Sequence, residues 1–198
     1  MAFTVVILAA GQGNRMKSDI PKVLHPIAGE SMLGYVIDAV RQLEPEKINI
    51  VHGFKGEQLK DKYNSSDLSW SHQSEQLGTG HALVQAIPSI PDDHEVLVMC
   101  GDTPLITYSS LKNIFDKKYE DQVVLLTSLV QDPTNYGRII RDPSNSIISI
   151  VEEQDATDSE KLINEVNTGI MKLPGNKLKV WLNKIDANNN QKEFYLTD

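Results

Sequence analysis

An apolar run from Phe3 to Leu8 empties directly into Ala9-Ala10-Gly11-Gln12-Gly13-Asn14-Arg15-Met16, with Pro21-Lys22 close behind. No other stretch constrains the fold as much. The run reads as a buried strand. A strand that ends in a small, glycine-rich turn aims several backbone N–H groups at one point. Such a nest holds an anion, most often phosphate. Arg15 and Lys22 place two cations within reach of the same turn. The expected ligand is a nucleotide carrying a polyphosphate.

The rest of the chain alternates between strand-like and helix-like stretches, the pattern of an α/β sheet covered by helices. Ser31 is placed to cap a helix whose apolar face carries Met32, Tyr35, Val36, Ala39, Val40 and Leu43. Strands are expected at 48–51, 68–72, 95–99 and 122–130, and helices at 55–63, through Ala82, Leu83 and Ala86 after a small-residue loop at 76–80, and at 108–118. Beyond that point the pattern is less regular. Short strands at 137–141 and 146–151 flank Asp142-Pro143-Ser144-Asn145, a hairpin connection. A strand at 165–172 and a helix at 176–185 follow. A nucleotide half is thus expected to give way, near residues 105–130, to a half that closes over a second substrate.

With 198 residues, 40% of them hydrophobic, the chain can bury one substantial core. No apolar stretch approaches the roughly 18 residues needed to cross a bilayer. A secretory pattern is also missing at the N-terminus, so a cytoplasmic protein is expected. A lone Cys100 agrees with a reducing compartment. The net charge of −8 argues against nucleic acid or an anionic membrane as partner.

Three phosphate-binding patterns compete for the glycine loop. A dinucleotide fingerprint needs a third glycine where Met16 stands, and an acidic residue ending the second strand; Asp38 lies inside a helix instead. A P-loop needs Gly-Lys-Ser/Thr, but Val23 follows Lys22. The pattern L-A-A-G-x-G-x-R-M with a downstream P-K remains, and it is the signature of sugar-phosphate nucleotidyltransferases.

Further segments follow in one order: Gln73, Glu75-Gln76-Leu77-Gly78-Thr79-Gly80-His81-Ala82, Gly101-Asp102, Tyr136-Gly137-Arg138-Ile139, Val151-Glu152 and Asn167-Thr168-Gly169. Together they resemble the uridylyltransferase domain of the bacterial bifunctional N-acetylglucosamine-1-phosphate uridyltransferase family (GlmU-type), from Val5 to Asp198. The resemblance implies a Rossmann-like nucleotide-diphospho-sugar transferase fold, with a mixed, mostly parallel sheet flanked by helices. It also implies UTP and N-acetylglucosamine 1-phosphate as substrates, UDP-N-acetylglucosamine and pyrophosphate as products, and Mg2+ as cofactor. The product would serve peptidoglycan and lipopolysaccharide synthesis.

On this resemblance Arg15 and Lys22 are the catalytic cations. Arg15 suits the β- and γ-phosphates with its planar fork, and Lys22 suits the α-phosphate as a mobile point charge. Asp102, at a strand end, suits a magnesium ion that keeps most of its waters. Leu8, Ala9, Ala10, Gly11, Gln73, Gly78, Thr79 and Gly101 would hold UTP. Gly137, Glu152 and Asn167 would hold the sugar and its N-acetyl group. Each assignment has a plainer rival: Asp102 as a turn former, Lys22 as a surface lysine, Glu152 as part of an acidic face with Glu153 and Asp155. The five histidines show no metal-ligand spacing, and His81 is placed near the uracil loop. Trp70 and Trp181 read as packing residues, and Cys100 as a buried strand residue.

Two departures from the family matter. Cys100 replaces the usual tyrosine before Gly-Asp. The family also continues past the equivalent of Asp198 with a helix, a strand and an asparagine that supplies a second magnesium ligand. After these comes a left-handed β-helix that carries acetyl transfer and forms a trimer. Residues 1–198 are therefore expected to be a nucleotidyltransferase domain incomplete at its C-terminal end, without acetyl transfer; a homo-oligomer stays open. Rival readings are transfer to another sugar 1-phosphate or from another nucleotide, and a silent sugar-nucleotide-binding module.

Overall fold

The computed structural model describes residues 2–13, 16–115 and 121–198. Its centre is β1 (Phe3–Ala9), flanked in parallel by β4 (Lys47–His52) and β6 (Glu95–Cys100), with β5 (Leu68–His72) parallel to β4 on the outer side. A ten-residue strand, β10 (Glu165–Pro174), runs antiparallel to β6. On β10 also lie β7 (Val124–Leu129) and β8 (Arg138–Arg141), both antiparallel to it, and β9 (Ile147–Val151) pairs with β8. Among the described residues the main sheet has eight strands. All but β9 and β10 point the same way, so the expected mixed, mostly parallel sheet is present. Both halves of the chain share this one sheet.

Period-two alternation along β1 divides the core. Val5, Ile7 and Ala9 face one helical layer, and Val6 and Ala10 face the other. The first layer is α1 (Met32–Arg41), α2 (Gly56–Lys62) and α4 (Tyr108–Lys112), buried through Leu33, Val36, Ile37, Leu59 and Leu111. The second is α3 (Thr79–Ala86) and α5 (Gly175–Leu182), buried through Ala82, Leu83, Leu178 and Leu182. Two ion pairs with buried cations, Lys172 with Glu95 at 2.7 Å and Arg138 with Glu153 at 2.6 Å, tie β10 to β6 and β8 to the segment after β9.

Ser31 caps α1 as expected, its Oγ accepting from the Gly34 amide at 3.1 Å. The tiny hairpin that leads into this cap, β2 (Pro26–Ile27) and β3 (Glu30–Ser31), has no counterpart in the sequence reading. Its turn residues Ala28 and Gly29 both have positive φ, a feature that alanine does not advertise. Glu30 next to the cap accepts from the Ser31 amide at 2.6 Å and from the Tyr63 hydroxyl at 2.9 Å, and pairs with Lys62 at 3.1 Å.

The helix expected over 108–118 is shorter. It ends at Lys112 and tightens into a 3-10 turn, Asn113–Phe115, which buries Ile114 and sets Phe115 4.5 Å from Phe3. Residues 116–118 of that expectation lie outside the described residues. The hairpin at 142–145 closes as expected, with Asn145 left-handed and the Asp142 amide donating to the Ser146 carbonyl at 2.9 Å.

The last residues return to the loop before α3. Phe194 donates to the Leu77 carbonyl and accepts from the Gly80 amide, both at 2.8 Å, and the Leu196 amide donates to Thr79 Oγ1 at 3.0 Å. Gly78 makes this possible, because its φ of 116° suits only glycine and a Cβ there would meet the Phe194 oxygen at 2.5 Å.

Two expectations follow for stability. Gly78→Ala should cost about 1–3 kcal/mol and release the 194–198 segment to proteolysis; unchanged urea unfolding and cleavage would reject the packing. Glu30 is held down to about 2, chiefly by the Ser31 amide, then by Tyr63 and Lys62. A depressed carboxyl contributes fully above its ordinary value of 4.5 and loses that contribution as pH falls toward about 2. The gap in unfolding free energy between the unsubstituted chain and Glu30→Gln should therefore narrow on acidification below 4.5; a constant gap would reject the assignment.

Candidate active site

The parallel strands β4, β1 and β6 all end on one side, and the site gathers there. Leu8 and Ala9 close β1, and Ala10 follows; Ala9 and Ala10 are buried, their small side chains set against opposite core layers. Gly11 is exposed, and a Cβ at this position would meet nothing within 4 Å, so its backbone faces open space. Gly13 turns with φ 66°, and a Cβ on it would strike Lys22 Cβ at 2.7 Å. Only glycine lets the loop lie on the lysine stem. Arg15 falls outside the described residues.

Lys22 opens a single 3-10 turn behind Pro21, and its neighbour Val23 is buried. Val23 packs against Gly101, where a Cβ would sit 3.3 Å from both Val23 Cγ1 and Ala9 Cβ. Gly101 is buried, and its amide donates to the Leu8 carbonyl at 2.9 Å, carrying the β1–β6 ladder one residue further. That close approach brings Asp102 to Lys22, whose ammonium donates to Asp102 Oδ2.

Gln73, 3% exposed, is fixed at both ends. Its amide N–H donates to the His52 carbonyl at 2.8 Å, and its side-chain Nε2 donates to the Gly78 carbonyl at 3.2 Å and lies 3.1 Å from His81 Nδ1. The nitrogen is thus engaged inside the protein, which orients the amide. His81 sits in the first turn of α3, close to the loop as expected.

The third part of the site comes from a divided edge. One edge of β10 is taken by β7 across residues 165–172. The other is shared, with β6 on 171–174 and β8 at Val166. Between them β10 bulges, the register against β7 slipping between Asn167 and Ile170. Gly169 turns there with φ 74°, Asn167 Oδ1 accepts from its amide at 3.0 Å, and Thr168 Oγ1 donates to the Leu126 carbonyl at 2.6 Å. Across the gap the Asn167 amide donates to the Gly137 carbonyl at 2.8 Å. A Cβ on Gly137 would press on both carboxylate oxygens of Glu152 at 3.2 Å.

The gap opens into a cavity of about 230 Å3 lined by Leu8, Thr79, Gly137, Glu152 and Asn167, residues from five separate parts of the chain. All five were singled out by the sequence. Cys100, Gly169 and Thr197 also line it; the sequence noted Cys100 as a departure and Gly169 within a motif but assigned neither to binding, and it passed over Thr197. Burial lifts the Glu152 carboxyl above the usual carboxylate range, with Asp198 and Asp155 adding to this against the 3.1 Å hydrogen bond from Thr197. Burial likewise pushes the Cys100 thiol up to about 12, so it stays protonated. Nothing local in the sequence marks Thr197, which reaches the site only because the tail folds back. A larger cavity of about 380 Å3 lies behind α5 and is lined mainly by apolar side chains such as Leu178 and Trp181. Thr197 lines it as well, with Lys184 and Asp198, but Glu152 and Asn167 do not.

The MobA-like NTP transferase domain model matches residues 5–156. The bifunctional protein GlmU of Pseudomonas entomophila is 50% identical over the whole chain, and that of Pseudoalteromonas atlantica 52%. The chain spans only 43% and 44% of these two relatives' lengths. A UDP-glucose pyrophosphorylase solved with UDP-glucose superposes with a TM-score of 0.80 at 19% identity, covering all of this chain and 85% of that one, so it shares the fold. With a family model matched over well more than half its length, the chain belongs to the MobA-like NTP transferase domain family.

Proposed function

We propose that residues 1–198 form a nucleotidyltransferase unit that transfers uridylyl from UTP to N-acetylglucosamine 1-phosphate, supplying UDP-N-acetylglucosamine for peptidoglycan and lipopolysaccharide synthesis in the cytoplasm. One observation carries the reading. A glycine loop with a paired Lys22 and Asp102 adjoins a cavity whose polar lining, Glu152 and Asn167, is suited to a sugar. Relatives about half identical over the full chain and called bifunctional protein GlmU support the choice of substrates.

The chemistry asks little of the protein beyond placement and charge. An oxygen of the sugar phosphate, already an anion, attacks the α-phosphorus. The new P–O bond forms as the α–β bridge breaks, and pyrophosphate leaves with the bonding electron pair. No general base is needed, because the nucleophile carries no proton to remove. Lys22 is assigned to neutralise charge gathering on the α-phosphoryl oxygens. Gln73, its nitrogen engaged by Gly78, offers its carbonyl oxygen to a base N–H such as that of uracil. The Gly78–Thr79 backbone and the exposed Gly11 border the same region. Glu152 accepts from sugar hydroxyls. Asn167, whose oxygen is held by Gly169, has its NH2 free to donate to an acyl carbonyl. Arg15 is assigned to the outer phosphates.

Asp102 is the residue proposed to hold Mg2+. Among the described residues no three His, Cys, Asp or Glu side chains converge on a metal. A lone carboxylate at a strand end fits an ion that keeps its waters and shares phosphate oxygens. When bound, the ion would offset charge on the triphosphate.

Three outcomes test the proposal. Pyrophosphate release, measured with each of the four nucleoside triphosphates against several sugar 1-phosphates, should be fastest for UTP with N-acetylglucosamine 1-phosphate; a better pair would overturn the substrate assignment. Lys22→Ala should lower turnover roughly 10²–10³-fold, the scale of one preorganised charge-stabilising group. A loss of only a few-fold would remove Lys22 from the transition state. Asp102→Asn should raise the magnesium concentration needed for half-maximal rate, and an unchanged requirement would reject it as the ligand.

A further inference from the structure

We propose that Lys22 and Asp102 form a displaceable latch that couples divalent-cation binding to triphosphate binding. The inference rests on the roles given to these two residues above, and adds how the site is regulated. In the structure the two neutralise each other. Lys22 is 38% exposed and Asp102 29%, so the pair lies at the rim of the site and not in the core. Ion pairs in that setting contribute little to stability, and ligands can open them.

Everything except the charged ends is fixed. Lys22 is held at its base by Pro21, by the buried Val23 and by Gly13, which lies on its Cβ. Asp102 follows Gly101, wedged against Ala9 and Val23, and precedes Thr103, whose Oγ1 donates to the Cys100 carbonyl at 2.8 Å. Opening therefore means a swing of the lysine methylenes and nothing larger.

Asp102 cannot serve a divalent cation and the ammonium equally, since the two positive charges repel across a single carboxylate. If Asp102 takes a cation, Lys22 is expelled and has only water to face. If Lys22 turns to a triphosphate oxygen, Asp102 is left as an uncompensated anion beside a polyanion. Either ligand alone leaves one half of the pair unsatisfied; both together satisfy each half. The two ligands therefore strengthen one another through the pair, and by linkage the effect is equal in both directions. The latch also keeps the unloaded site electrically quiet toward the free cation and toward the bare triphosphate.

The test is Mn2+ binding without nucleotide, followed by calorimetry on the full chain. Lys22→Met should bind Mn2+ about five- to tenfold more tightly than the unsubstituted protein, at the lower end of ordinary coupling strengths. Lys17→Met, which removes a charge from the exposed neighbouring loop, should leave the affinity unchanged. Equal affinity in Lys22→Met, or equal tightening in Lys17→Met, overturns the latch. Asp102→Asn separates the two levels of the argument. If it abolishes Mn2+ binding while Lys22→Met tightens nothing, the latch fails and the metal assignment stands. If neither substitution moves Mn2+ affinity, both fail. In the unsubstituted chain, Mg2+ added without nucleotide should shift the Lys22 15Nζ resonance, and a stationary signal at saturating Mg2+ overturns the proposal without relying on any variant.

Discussion

The site depends on how β10 is shared. A strand ordinarily offers each of its two edges to one neighbour. Here one edge is divided, with β6 at the C-terminal end and β8 at the N-terminal end, and the residues between bulge away from regular pairing. The interruption does two things together. It joins the later strands to the sheet begun by β1, and it leaves an opening beside the end of β6, where Leu8 and Cys100 already stand. A fully paired strand would have filled the cavity with backbone.

Glycines set the second constraint. Gly13, Gly101 and Gly137 each mark a place where a Cβ would collide with something the site uses: the Lys22 stem, the Val23 and Ala9 side chains, and the Glu152 carboxylate. Their contribution is proximity. Removing a side chain moves a loop about one van der Waals layer nearer, the distance that lets Lys22 reach Asp102 across 80 residues of sequence. The sequence carries a net charge of −8, so the proposed polyanion site would depend on local placement of a few cations and not on overall charge.

Legibility in the sequence varied with the range of the physics involved. β1 and β6 were readable because buried parallel strands are near-continuous apolar runs, and the edge strand β5 because its apolar residues alternate with polar ones. The Ser31 cap and the hairpin at Asp142–Asn145 were readable because their hydrogen bonds close within a few residues. The β2–β3 hairpin was not, since Ala28 adopts a left-handed conformation that its side chain does not announce. The early end of α4 was not either: the pull of Phe115 toward Phe3 comes from a strand more than a hundred residues earlier.

For the site, the family resemblance carried by the motifs implied Leu8, Lys22, Gln73, Gly78, Thr79, Asp102, Gly137, Glu152 and Asn167. These are residue types whose capacities (a small turn, a cation, an amide, a carboxylate) follow from covalent structure alone. Composition and local pattern determined the α/β class and the glycine-rich turn after the first strand, because backbone preferences act over a few residues. Only the tertiary structure decided that Asn167 bulges toward Gly137, that Thr197 returns to Glu152, and that Lys22 rests on Asp102. Those contacts join segments far apart in the chain, and which segments meet is settled by edge sharing and close packing, which no short window of sequence contains.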